Sequence, residues 1–117
     1  MLINLSNHPS SAWSSAQLFA AQRYGEIVDL PFPSVSPEGD EDYIRSLVDD
    51  YICEVEKLAA GSGATVHVMG EMTFTCAMVT ALKARGFRCV ASTTLRDVVE
   101  EDGAKTSVFQ FVRFRGY

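Results

Sequence analysis

The chain has too little cysteine, in the wrong arrangement, for a disulfide scaffold: Cys53, Cys76 and Cys89 only, with no C-x-x-C pair. Three thiols inside stretches predicted as helix or strand suit buried residues in a reducing cytosol. Histidine is scarcer still, with His8 and His67 alone, so no zinc-ligand pattern exists and no cofactor is expected. No apolar run approaches the ~18 residues of a membrane span, and the first residues lack the basic flank and long apolar region of a signal peptide. A cytoplasmic protein with no membrane partner is the expectation. Glycine-rich phosphate loops are missing as well: there is no G-x-x-x-x-G-K-[ST], and no G-x-G-x-x-G follows the first strand. Basic residues are few in the first 82 positions, three against eleven acidic ones, while the remainder carries seven against four. Duplex DNA binding depends on neutralising many phosphates, so this acidic chain is not expected to use it.

What is present suffices for one α/β domain spanning residues 1–117. With 47% apolar residues the chain can bury a core without disulfides or metal. Met1-Leu2-Ile3-Asn4-Leu5-Ser6 reads as a first strand in which Asn4 demands a buried hydrogen-bond partner. A helix is expected from about Ser14 to Tyr24, stopped by Gly25, and a second strand over Glu26–Leu30. Pro31, Pro33 and Pro37 then enforce a loop. From about Glu41 to Ala60, Ile44, Leu47, Val48, Tyr51, Ile52, Val55 and Leu58 form a continuous helical stripe. The uncharged Thr65–Met69 predicts a strand buried on both faces, and residues 74–85 a helix capped by Thr73 after a turn at Gly70. Phe87–Ser92 reads as a fourth strand. Asp97–Glu101 and Thr106–Arg115 read as a separate antiparallel hairpin around an Asp-Gly turn.

Repeated strand–helix alternation with long crossovers predicts a three-layer Rossmann-like sandwich, mostly parallel, with strand order 2-1-3-4 and the C-terminal antiparallel hairpin beyond strand 4. Ligands of such sheets bind outside the carboxyl ends of the strands, where the order reverses. Three segments are expected to meet there: Ser6-Asn7-His8, Gly70-Glu71-Met72-Thr73, and Ser92-Thr93-Thr94. They offer hydroxyls, an amide, an imidazole and the free amides of a helix N-terminus, an inventory for phosphate and base edges. His8 could act as acid or base near neutral pH, or hold a local carbonyl. Glu71 could orient a ribose hydroxyl or complement the helix dipole. Arg96 could bind phosphate or pair with Asp97 or Glu100. His67, Cys76 and Trp13 read as core or packing residues.

The opening Ile-Asn-Leu-Ser-Asn-His-Pro, the Gly-Glu-Met-Thr-Phe-Thr turn and the order of elements resemble the small Rossmann-like proteins of type III CRISPR systems, relatives of the CARF sensor domains. That resemblance implies a homodimer that binds, and in some members cleaves, a cyclic oligoadenylate across its two-fold axis without metal. By position it implies contacts from Ser6, Asn7 and His8, from Gly70, Glu71, Met72 and Thr73, and from Ser92, Thr93 and Thr94. A ring-opening enzyme would use internal 2′-hydroxyl attack, with His8 moving the proton and Arg96 or the turn amides facing the phosphate. A module that only senses the ligand, and an interaction protein dimerising through Phe109, Phe111 and Phe114, are the alternatives.

Overall fold

A computed structural model describes all residues from Met1 to Tyr117. Five strands form one sheet: β1 (Leu2–Ser6), β2 (Ile27–Asp29), β3 (Thr65–Met69), β4 (Arg88–Glu101) and β5 (Ala104–Gly116), in the order β2-β1-β3-β4-β5. The first three pairings are parallel and β4–β5 is antiparallel. This corrects the expected order of four strands plus a separate hairpin. Ser92 through Asp97 do not break: the fourth strand and the first hairpin strand are one 14-residue strand. Thr93, Thr94, Leu95 and Val98–Val99 favour β structure on either side of Arg96-Asp97, and neither glycine nor proline ends the strand there.

Three α-helices connect the strands: α1 (Ser15–Ala21), α2 (Glu41–Ala59) and α3 (Met72–Ala84). Ser14 caps α1 through Gln17 N–H, and the helix gives way after Ala21 to a 3-10 turn ending at Gly25, whose φ is 94°. Asp40 caps α2 through Tyr43 N–H at 3.0 Å. The expected stripe of α2 is its buried face: Val48, Ile52 and Val55 are in the core, with Ile44, Leu47, Tyr51 and Leu58 packed against it. Of the three cysteines only Cys89 is buried. Cys53 and Cys76 are exposed, because each lies on the outward side of its helix, not on the apolar stripe.

Strand alternation divides the core in two. Ile3, Leu5, Val66, Val68 and Cys89 pack with α2 and α3 around the fully buried Phe74, Met78 and Leu82. Leu2, Val90 and Phe114 belong to a second cluster with Trp13 and Ala21 of the α1 region. Each large side chain in these clusters is worth about 1.5–3 kcal/mol of burial.

Beyond Thr94 the β4–β5 ribbon leaves the body. Asp102 (φ 50°) and Gly103 (φ 78°) form its two-residue turn, both left-handed as the twist of a hairpin requires. A register shift lies between Thr93 and Thr94. The radius of gyration, 15.7 Å, exceeds the roughly 13 Å of a compact chain this long. No helix is long and apolar enough to cross a membrane.

Candidate functional site

The α1-side face of the sheet carries polar groups where apolar ones would be usual. Asn4, Ser6 and His67 are buried there, on β1 and β3. Asn4 Nδ2 donates to His8 O and to Asp29 Oδ1, both at 2.9 Å. Since both partners only accept, the amide oxygen must point the other way. There Asn4 Oδ1 meets Ser6 Oγ at 2.8 Å and His67 Nδ1 at 2.9 Å. His67 Nε2 in turn lies 3.0 Å from Ser92 Oγ on β4. A continuous hydrogen-bonded line therefore crosses four strands, from Asp29 through Asn4 and His67 to Ser92. The partner that Asn4 demands is found four times over.

The line fixes its own proton positions. Asn4 Oδ1 requires a hydrogen on His67 Nδ1, leaving Nε2 bare to accept the Ser92 hydroxyl proton. Trp13 and Phe114 stand edge-on to the imidazole, each with ring centroids 5.4 Å away, and strip it of water. That burial, helped by nearby His8, pushes His67 down to about 4, so the ring is neutral at pH 7. Burial by itself would raise Asp29, but hydrogen bonds from Asn4 and from the side chain and backbone of Ser10 outweigh it and hold the carboxyl below its usual range.

The loop after β1 closes over this line. Trp13 Nε1 donates to His8 O at 3.2 Å, and Asn7 N–H donates to Met69 O at 3.3 Å. Met69 Sδ is 3.0 Å from Ser92 Oγ and 3.2 Å from Ser92 N. Ser6, Asn7, His8 and Ser92 thus share one rim, at the carboxyl ends of β1 and β3, with Asn7 and His8 exposed. Thr94 follows Ser92 on the same face of β4.

The remaining candidates lie elsewhere. Glu71, not Thr73, caps α3: its carboxylate accepts from Thr73 N (3.0 Å), Phe74 N (2.9 Å) and Thr73 Oγ1. Those bonds, the Phe74 amide first, hold Glu71 below the ordinary carboxylate range. The amides expected to receive a phosphate are already filled by the chain's own anion. Gly70 is a packing position, its α-carbon covered by the Phe32 ring. Met72 is 84% exposed on the α3 side. Thr93 points away from Ser92, as alternation demands, and its hydroxyl bonds Arg113 O at 3.1 Å. Arg96 stands out on the ribbon, where it pairs with neither Asp97 nor Glu100 but donates through Nε and Nη2 to Ser107 Oγ, at 3.2 and 3.0 Å.

The residue that sequence reasoning passed over is His67. Its one signal was alternation: in Thr65–Met69 it shares a face with residue 65, opposite Val66 and Val68, just as Asn4 opposes Ile3 and Leu5.

A family model covers residues 1–115, that of the family described as uncharacterized protein MJ1673. The chain belongs to the MJ1673 family. No curated protein and no solved structure matches it. For this MJ1673-family chain the site geometry is therefore the ground for any reading of function. Three or more groups of metal-ligating type do not gather anywhere in the structure.

Proposed function

We propose that this chain is a three-layer Rossmann-like domain whose α1-side rim binds a cyclic oligoadenylate, as part of CRISPR antiviral signalling in the cytoplasm. The observation that carries the reading is the junction at Met69, whose carbonyl takes the Asn7 amide and whose sulfur touches Ser92. It joins the loop after β1 to β4 beside the reversal of strand order, where open α/β sheets take ligands. Asn7, His8, Ser92 and Thr94 would meet base edges and sugar hydroxyls, with Ser6 holding the loop. The α3 turn contributes little to this reading, because Glu71 fills its amides. If the ring is opened, the 2′-hydroxyl of one nucleotide attacks the adjoining phosphorus and the 5′-oxygen of the next nucleotide leaves, giving a 2′,3′-cyclic phosphate and a free 5′-hydroxyl, with His8 placed to move the proton. Arg96 fits a role at phosphate only when a second copy brings its ribbon across.

Incubation with labelled cyclic tetra- and hexa-adenylate in EDTA, alongside thermal-shift titration, tests both parts. A shift in Tm with ring opening supports the enzyme, and a shift with intact ligand supports a sensor. No shift with either ring removes the reading.

A second reading, a non-catalytic interaction module acting as a homodimer, is favoured by the ribbon. Val98 and Phe109 on one face and Leu95, Val99 and Val108 on the other are all exposed. Isolated two-stranded ribbons with apolar faces call for a covering partner.

A further inference from the structure

The line from Asp29 to Ser92 has the parts of a nucleophile with its base and the group that orients the base. Ser92, half-buried on β4 between β3 and β5, ends the line, and its hydroxyl has two neighbours: His67 Nε2 and Met69 Sδ, both at 3.0 Å. A thioether is a weak acceptor, so the proton goes to the imidazole. His67 Nδ1 is held by Asn4 Oδ1, and Asn4 is locked by Asp29 and His8 O, so the base cannot change tautomer without breaking buried bonds. Serine, histidine and a third side chain that fixes the ring recur on unrelated folds as the machinery of acyl transfer, and the third member can be asparagine. Ser92 N–H, turned to the Met69 thioether at 3.2 Å, is a donor that a developing oxyanion could take over.

The ligand class follows from the charges at the rim. No lysine or arginine side chain hydrogen-bonds Asn4, His67 or Ser92: Arg96 is out on the ribbon, and Arg113 turns its Nε to the Phe114 carbonyl. The one charge tied into the line is the Asp29 carboxylate, which accepts from Asn4. At the Ser92 hydroxyl itself, between an imidazole and a thioether, an uncharged ester carbonyl is the group that fits.

We propose that Ser92 is a catalytic nucleophile activated by His67, with Asn4 as its positioning residue, and that it takes a neutral carboxylic ester. Ser92 Oγ bonds to the carbonyl carbon as its proton passes to His67 Nε2. The ester C–O bond then breaks and the departing alkoxide collects that proton, leaving acyl-Ser92. Water, deprotonated by the same nitrogen, releases the acid and restores the serine. This inference goes beyond the nucleotide reading and stands without it.

The test is labelling of the full chain with a fluorophosphonate and with p-nitrophenyl acetate, followed by peptide mass spectrometry. Label on Ser92, absent from Ser92→Ala and slowed by about 100-fold in His67→Gln, is the expected result. Should His67→Gln fail to fold, Ser92→Cys gives a second reading: the new thiol should react with iodoacetamide at least about tenfold faster than exposed Cys53 and Cys76. Wild-type protein in which Ser92 stays unlabelled, or is labelled no faster than Ser6 and Ser10, overturns the proposal. So does a Ser92→Cys thiol that reacts no faster than Cys53.

Discussion

The ring of Phe32 lies over the α-carbon of Gly70, occupying the space in which a side chain would stand. Phe32 comes from the proline-rich segment after β2, Gly70 from the turn after β3, and the same ring meets Phe74 edge-on at 5.2 Å. Glycine is needed there for close approach, and the loop is anchored by it.

Gly70→Ala should therefore push Phe32 out of its seat and cost about 1–3 kcal/mol in urea denaturation. Phe32→Ala alone should also destabilise, by loss of packing on Phe74. In the double variant the two costs should add to less than their sum, because the clash vanishes with the ring. Full additivity would show that the two positions do not touch in solution.

Stability should fall on mild acidification. His67 is held near 4 in the fold against about 6.5 unfolded, so between those values the unfolded chain binds more protons. Stability is thus greatest above about pH 6.5 and declines as pH drops toward 4, by up to about 3 kcal/mol. Asp29 acts in the same direction at lower pH, because its carboxyl is held below its unfolded value. Urea midpoints at pH 7, 5.5 and 4.5, with the His67 ring signal followed by NMR, should show a neutral imidazole at pH 5.5. A flat stability profile across that range would contradict the buried line.

Removing the Glu71 carboxylate should turn α3 into the anion site it otherwise resembles. Glu71→Ala frees the Thr73 and Phe74 amides, so Tm should drop modestly in chloride and recover in part in phosphate or sulfate. The wild-type protein should gain less from the same salts. Equal responses would mean that the carboxylate does not occupy the helix end.

The ribbon should govern self-association. Val98→Lys with Phe109→Glu, both on one exposed face, should weaken any dimer by at least about tenfold in light scattering. Circular dichroism should be unchanged, because neither side chain packs in the body. A wild-type chain that is monomeric at every concentration would remove the ribbon from consideration as an interface.

Much of the architecture was legible in local pattern. The α2 stripe, the apolar run of β3, the glycine stops and the Asp-Gly turn all act within a few residues, and each lies where its spacing put it. Helix ends were less legible. Thr73 looks like the cap of α3, yet a glutamate two positions earlier has the longer reach, and its carboxylate takes two amides at once. The join of β4 to the hairpin was missed for a related reason: Ser-Thr-Thr reads as a loop, but β5 alongside supplies backbone partners that keep it extended.

The site divides in the same way. Sequence alone determined that Asn4 needed a buried partner, and that Ser6, Asn7 and His8 sit at a strand's carboxyl end. It could not say that His67, 63 residues from Asn4, was that partner, or that Ser92 closes the line. Those contacts exist only because parallel pairing sets Asn4 beside His67 and the sheet carries β4 next to β3. Periodicity records which face a side chain takes, whereas the neighbour it meets across a sheet is settled by register, and register is a property of the folded chain.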